Sequence, residues 1–168
     1  SSILFSMNRL SHDKRTQVVA CLTEGCSIRS TVRMTGAAKN TVTKLAVEIG
    51  KACDQYQRET LRDLPCTRMQ VDEIWSFVYA KAKNVPEDKR FDMSVGDVWT
   101  WTAICADTKL IPTWYVGSRD ASSAYVFIQD LAERMASRIQ LTSNGHQPYL
   151  RAVDRVFGDE IDYAMLVK

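Results

Sequence analysis

The sequence contains no apolar run that approaches the ~20 residues required by a membrane-spanning helix. It has no Cys-x-x-Cys pair, and its 5 cysteines are an odd number, so we expect neither a zinc knuckle nor a disulfide framework. It also has no internal repeat and no low-complexity segment. These absences favour a globular cytoplasmic protein, not associated with a membrane, whose thiols are free and buried.

Net charge is small, but it is unevenly distributed along the chain. The 22 basic and 20 acidic side chains of the 168 residues give a net charge of only +2. Residues 1–65 contain 10 Lys/Arg and 6 Asp/Glu, a balance of +4, whereas residues 66–168 contain 12 and 14, a balance of −2. A basic front part and a slightly acidic rear part indicate two different roles, although charge alone does not establish nucleic-acid binding.

The front third of the chain has the apolar periodicity of three helices. Ser11 and Ser27 stand where N-caps are expected, and Gly25 and Gly36 stand where the first two helices would end. A third helix is predicted from about residue 38, because apolar side chains then recur at helical spacing. Polar residues 54–65 are predicted to be the frayed end of this helix followed by a linker.

Two short helices joined through residues 35–37 are typical of a helix-turn-helix, whose second helix enters the DNA major groove. Arg29 and Arg33 on the first of these helices are predicted to contact phosphates. Asn side chains suit adenine and Lys side chains suit guanine. A plain three-helix bundle with a solvated polar face fits the same pattern. The side chains predicted to meet base edges are Lys39, Asn40, Thr43 and Lys44.

From residue 66 onward the pattern changes to strands that alternate with helices. β-Branched and aromatic runs predict three strands first, and amphipathic segments then alternate with shorter apolar runs. The predicted order is β-β-β-α-β-α-β, so the fold class is α+β or α/β, with an all-α front part and a mixed sheet behind it. The sequence stops within an apolar strand, which predicts a C-terminally truncated domain.

Two polar residues of the rear part stand at positions that favour a functional site. Asp72 interrupts an otherwise apolar strand, where a carboxylate is costly to bury without a metal or another partner. Its neighbour Glu73 should point to the opposite face of the sheet. Asn144 ends a strand directly before a helix, where α/β folds place functional groups. The alternatives are a polar residue at a sheet edge for Asp72 and an Asn-Gly hairpin turn for Asn144.

Several stretches together resemble the DDE transposases of bacterial insertion sequences of the IS-one-like group, and the resemblance covers roughly residue 7 to the end. The matching stretches are QVDEIWSFV at 70–78, GDVWTWTAI at 96–104, VGSRD at 116–120, QLT at 140–142 with Gly145, His146 and Tyr149, and DYA at 162–164.

The resemblance implies a helix-turn-helix domain in residues 1–60, a linker in 61–67 and an incomplete RNase H-like catalytic domain in 68–168. In such domains three acids hold two Mg²⁺ (or Mn²⁺) ions, which stabilise the attacking and leaving oxygens of phosphodiester transfer. Asp72 matches the first acid, Asn144 stands at the position of the second, and the third has no counterpart before residue 168. Asp72 and Asn144 are therefore the expected catalytic and metal-binding positions, with weak metal binding.

The implied function is that of a transposase, which binds transposon ends and performs metal-dependent DNA cleavage and strand transfer. The missing acids imply that this chain is catalytically inactive. The implied partners are double-stranded DNA and a second copy of the chain. Three alternatives remain: a DNA-binding regulator of transposition that retains only the helix-turn-helix activity, an enzyme completed by a further C-terminal part, and an interaction domain unrelated to DNA.

Overall fold

The computed structural model of the protein describes residues 10–92 and 94–167. The chain divides into two compact units, Ser1–Tyr56 and Gln57–Lys168. Residues 1–9, which the sequence assigned to the first domain, lie outside the described residues. The described residues form five α-helices and a five-stranded mixed sheet, so the α+β class is confirmed. No helix in these ranges is long and apolar enough to cross a membrane.

The helices of the first unit begin and end where the cap signals predicted. The Ser11 hydroxyl accepts the backbone N–H of Lys14, and the Ser27 hydroxyl accepts that of Ser30, which confirms both N-caps. Gly36 ends the second helix with φ 69°, a left-handed conformation that glycine adopts without strain. The three helices are α1 (His12–Thr23), α2 (Ile28–Thr35) and α3 (Lys39–Thr60), the last of which continues into the second unit.

The second unit contains the sheet and two further helices in the predicted order. The strand order is β3-β2-β1-β4-β5; β1 is antiparallel to β2 and parallel to β4, β2 and β3 are antiparallel, and β4 and β5 are parallel. The elements are β1 (Arg68–Val78), β2 (Gly96–Cys105), β3 (Thr113–Gly117), α4 (Ala121–Ala132), β4 (Ile139–Asn144), α5 (Pro148–Phe157) and β5 (Ile161–Leu166), with two short 3-10 turns between β1 and β2.

Alternation along the central strand determines which of its side chains are buried. Met69 and Val71 of β1 are buried, whereas Gln70 and Asp72 between and after them are exposed. The buried side chains pack with residues of β2, β4, α4 and α5 into one apolar core, in which Trp101 is fully buried. The first unit has a smaller core of its own, formed by Val18, Ala37, Val42 and Leu45.

Three expectations about individual segments are corrected by the structure. The third helix does not fray at residue 54 but is continuous through Thr60. The polar composition of residues 81–97 predicts an exposed loop, but Asp97 is the second residue of β2, and its carboxylate accepts the backbone N–H of Ala82. All five cysteines are free, but only Cys66 and Cys105 are buried, so the expectation of buried thiols is wrong for the other three.

A buried guanidinium holds the end of α3 and the chain after it. Arg134, only 3% exposed, donates from Nε and Nη2 to the two carboxylate oxygens of Asp130 at 2.9 and 3.2 Å. Its Nη1 donates to the carbonyls of Gln57 at 3.0 Å and Leu61 at 3.4 Å. The last carbonyls of a helix lack N–H donors within the helix, so Arg134 supplies donors to carbonyls at the end of α3.

The carboxylate of Asp130 is ionised by its partners although it is partly buried. Burial opposes ionisation, but hydrogen bonds from Arg134 and Thr113 outweigh it and lower the pKa of Asp130 below its ordinary value. A lowered pKa means that the folded protein binds the proton less well than the unfolded chain. The pair therefore contributes stability above the ordinary Asp value of about 3.9, and this contribution is lost as the pH falls through the lowered pKa.

We expect Arg134→Met to lower the free energy of unfolding by about 3–5 kcal/mol, because it leaves a partly buried carboxylate without its cation. Urea unfolding followed by far-UV circular dichroism measures the change. Arg90→Met is the matched control: Arg90 is largely exposed and pairs with Glu87, which is also exposed, so its loss should cost below about 1 kcal/mol. Equal effects of the two substitutions would contradict the role given to Arg134.

Candidate functional site

The candidate site lies on the central strand β1, at the point where its pairing with β4 ends. The parallel pairing of β1 with β4 begins at Arg68 and Gln140 and ends at Val71 and Ser143. β1 continues beyond this point, paired on its other side with β2 as far as Val78. From residue 72 onward, one edge of β1 is therefore free of strand β4.

The Asn144 side chain occupies this edge and brings the two predicted site residues together. Its Nδ2 donates to Asp72 Oδ1 at 2.6 Å and to Glu73 Oε2 at 3.2 Å, and its Oδ1 accepts the backbone N–H of His146 at 2.9 Å. The amide orientation follows from the bond to His146, because a backbone N–H needs an acceptor. Both amide hydrogens and the amide oxygen of Asn144 are thus in use.

Glu73 is a member of the site that the sequence interpretation left out. The strand alternation placed it on the face opposite Asp72, and its side chain is only 1% exposed. Arg119 Nε and Nη2 each donate to Glu73 Oε2 at 3.2 Å, so the carboxylate has a cationic partner. Its contact with Asn144 depends on where β4 ends, which no local pattern in the sequence indicates.

Three polar atoms beside the site are buried without a hydrogen bond to any described residue: Glu73 Oε1, His146 Nε2 and the Tyr149 hydroxyl. The rings of His146 and Tyr149 lie 5.6 and 5.4 Å from that of Trp101, so they share one small volume. Burial, and then the neighbouring Glu73 carboxylate, raise the pKa of Tyr149. Burial, and then the charge of Arg119, lower the pKa of His146, which keeps the imidazole neutral at pH 7.

The arrangement does not fit a two-metal site. Mg²⁺ requires oxygen ligands, but Asn144 turns its nitrogen towards Asp72 and gives its oxygen to His146. The amide of Asn144 instead lies between two carboxylates and donates to one oxygen of each, while Glu73 Oε1 has no hydrogen bond to a described residue.

The side chains predicted to contact DNA are all exposed. Arg29 and Arg33 lie on α2, and the other four, Lys39, Asn40, Thr43 and Lys44, lie on the first two turns of α3. Two of the six make contacts within α3: the Thr43 hydroxyl donates to the Lys39 carbonyl, and Lys44 lies 3.9 Å from Glu48. The remaining polar groups are accessible to a ligand.

Comparison with known proteins gave no matching family model and no matching curated protein.

We expect Asn144→Asp to make the site dependent on a divalent cation. The substitution replaces two N–H donors by an oxygen facing Asp72 and Glu73, so in EDTA it should destabilise the fold by about 2 kcal/mol. Millimolar Mn²⁺ should then raise the thermal midpoint of the variant by several degrees, because an ion that binds only the folded state stabilises it.

The unmodified chain should show no such shift with Mn²⁺, and neither should Asn84→Asp, which makes the same chemical change at an exposed position. Differential scanning fluorimetry with EDTA and with Mn²⁺ compares the three proteins. A Mn²⁺ shift in the unmodified chain would contradict the conclusion that Asn144 offers no oxygen ligand to the ion.

Proposed function

We propose that the chain is a DNA-binding relative of the DDE transposases of insertion sequences, with a helix-turn-helix unit and a catalytically inactive RNase H-like unit. The observation that carries the proposal is the contact between Asp72 on the central strand and Asn144 at the end of the neighbouring parallel strand. These are the positions at which the resemblance expects the first two acids. The order of three antiparallel strands followed by two helix–strand units supports the same proposal.

Support for the helix-turn-helix comes from the way α2 is joined to α3. Only residues 36–38 separate the two helices, and Gly36 takes the left-handed conformation common in such turns. The exposed residues at the start of α3 can then reach base edges, while Arg29 and Arg33 contact the phosphate backbone. The partner in this proposal is double-stranded DNA at transposon ends, bound by two copies of the chain.

The chemistry of the second unit follows from the charge at position 144. Transposition requires two divalent ions that stabilise the attacking and leaving oxygens together. An amide at position 144 removes one negative charge from the place that must hold these cations. The chain therefore binds its DNA without cutting it.

This combination favours a regulatory role as the second candidate function. A chain that keeps the DNA-binding surface of α3 while Asn144 satisfies Asp72 would occupy transposon ends and exclude an active transposase. The role requires binding of the same ends as the active enzyme. Adding the chain to a cleavage reaction of such an enzyme should inhibit it in proportion to the occupied ends, and unchanged cleavage at saturation would contradict the regulatory role.

We expect duplex DNA selected from a random pool to bind with an affinity that falls steeply with salt. Four cations, Arg29, Arg33, Lys39 and Lys44, are available, and neutralising about four phosphates costs roughly a hundredfold in affinity for a fourfold rise in salt. Fluorescence anisotropy over a salt series measures the slope. Absence of binding at low salt would overturn the DNA-binding proposal.

Substitutions on α3 test which side chains read the DNA. Asn40→Ala should cost about 1–3 kcal/mol on the selected sequence and relax the preference at one base pair. Lys44→Ala should weaken binding to all sequences or change the preference at one base. Lys51→Ala, an exposed lysine further along the same helix, is the control and should have a smaller effect. Unchanged affinity of the first two variants would contradict the recognition-helix assignment.

We expect neither the chain nor its Asn144→Asp variant to cut transposon-end DNA in Mg²⁺ or Mn²⁺. Loss of an acidic metal ligand costs orders of magnitude in rate, and the substitution restores only one of the two missing acids. Denaturing gel electrophoresis of end-labelled DNA detects single nicks. Cleavage by the variant would show that another group in the chain serves as the third acid.

A further inference from the structure

The paired ends of β1 and β2 extend beyond the rest of the sheet as a two-stranded hairpin. Residues 76–78 of β1 pair with residues 96–98 of β2, whereas the pairing of β2 with β3 begins only at Trp99. Two large aromatic side chains on this part are exposed, Trp75 by 39% and Phe77 by 45%. Such exposed aromatic surface is typical of a binding site.

Three aromatic residues lie on one face of β1 and β2, in and directly beside this two-stranded part. Trp75 and Phe77 are two residues apart on β1, so they share a face, and their ring centroids are 5.7 Å apart. Trp99 is the cross-strand partner of Trp75 and lies on the same face. We call these three residues, Trp75, Phe77 and Trp99, the aromatic strip.

Cationic side chains lie directly on the rings of the aromatic strip. Lys81 Nζ is 4.9 Å from the ring centroid of Trp75, and the Arg119 guanidinium carbon is 4.9 Å from that of Trp99. Lys81 makes no ion pair with any described residue, and the bond from Ala82 N–H to Asp97 fixes the turn that carries it. The strip thus combines flat apolar faces with two cationic groups, while Asp97, the cross-strand partner of Phe77, adds a carboxylate to the same face.

This combination fits a ligand that is both flat and anionic along its length. Bases of a single strand stack on aromatic side chains, while lysine and arginine contact the phosphates between them. Duplex DNA is a poor fit, because its base faces are already stacked on one another. We propose that the aromatic strip binds single-stranded DNA, with bases on Trp75 and Phe77 and phosphates at Lys81 and Arg119.

The position of the strip relates it to the candidate site. Trp75 follows Asp72 by three residues of the same strand, about 10 Å along β1. Arg119 contacts both the Trp99 ring and the Glu73 carboxylate. A strand separated from a duplex end would therefore lie on the face of the sheet that carries Glu73, close to the Asn144 amide that contacts this carboxylate. The inference rests on the proposed function only in taking DNA as the partner.

The test is binding of a fluorescein-labelled oligothymidylate of about 12 nucleotides, a length within the usual site size. Anisotropy gives the affinity, and quenching of tryptophan emission reports contact with the rings. Trp75→Ala and Phe77→Ala should each weaken binding roughly tenfold or more, since stacking on one base supplies a comparable factor. Lys81→Ala should weaken binding and reduce the salt slope by about one.

Trp114→Ala is the matched control, because Trp114 is 41% exposed and lies on the opposite sheet face, in register with Thr102 and Asp72. It should leave the affinity for the single strand unchanged, and Trp75→Phe should restore most of what Trp75→Ala loses. Thermal unfolding of each variant shows that the fold is kept. Equal losses for Trp75→Ala and Trp114→Ala, or no loss for any strip variant, would overturn the proposal.

Duplex binding separates this proposal from the proposed function. Lys44→Ala should weaken duplex binding and leave the single strand unaffected, and Trp75→Ala should do the reverse. Duplex binding without single-strand binding overturns the strip proposal alone, whereas absence of both overturns the proposed function as well. If the strip variants instead lower the mass in analytical ultracentrifugation without changing single-strand affinity, the strip joins two copies of the chain and the proposal is wrong.

Discussion

The difference in length between two neighbouring strands determines most of what is distinctive in the second unit. β1 spans Arg68–Val78, but its parallel partner β4 ends at Asn144, so their pairing stops at Val71 and Ser143. Because the edge of β1 is then free, the last side chain of β4 can turn towards the carboxylates that follow. The rest of β1 is paired with β2, and its aromatic side chains Trp75 and Phe77 are exposed.

The charge of residue 144, at the end of β4, determines whether hydrogen bonds alone or a cation can stabilise the site. Asp72 and Glu73 carry two negative charges, of which Arg119 offsets one, and the Asn144 amide supplies the remaining N–H donors without adding charge. A carboxylate in the same place would remove two donors and add a third negative charge, and only protonation or a cation could then stabilise the group. Replacing the amide nitrogen of residue 144 by an oxygen would therefore convert a site that is stabilised by hydrogen bonds into one that requires a cation.

Local signals in the sequence predicted the elements well but not the contacts between them. Ser11 and Ser27 cap helices as predicted, because a cap depends on residues within one turn. The approach of Asp72 to Asn144 was expected only through the family resemblance. The regular end of α3 depends on Arg134, which is distant in sequence, and the contact of Glu73 with Asn144 depends on strand register. Neither contact can be recognised from a local pattern in the sequence.

The two proposed functional surfaces are supported by separate cores. The exposed residues of α3 are supported by the small core around Val42 and Leu45, whereas Asp72 and Asn144 are positioned by the larger core of the sheet. Because Asn144 is held by hydrogen bonds to Asp72, Glu73 and His146, a neutral side chain at this position keeps the sheet intact. Under the proposed function, a neutral residue 144 would remove the metal requirement without affecting either core, so a chain that binds DNA without cutting it would remain a stable protein.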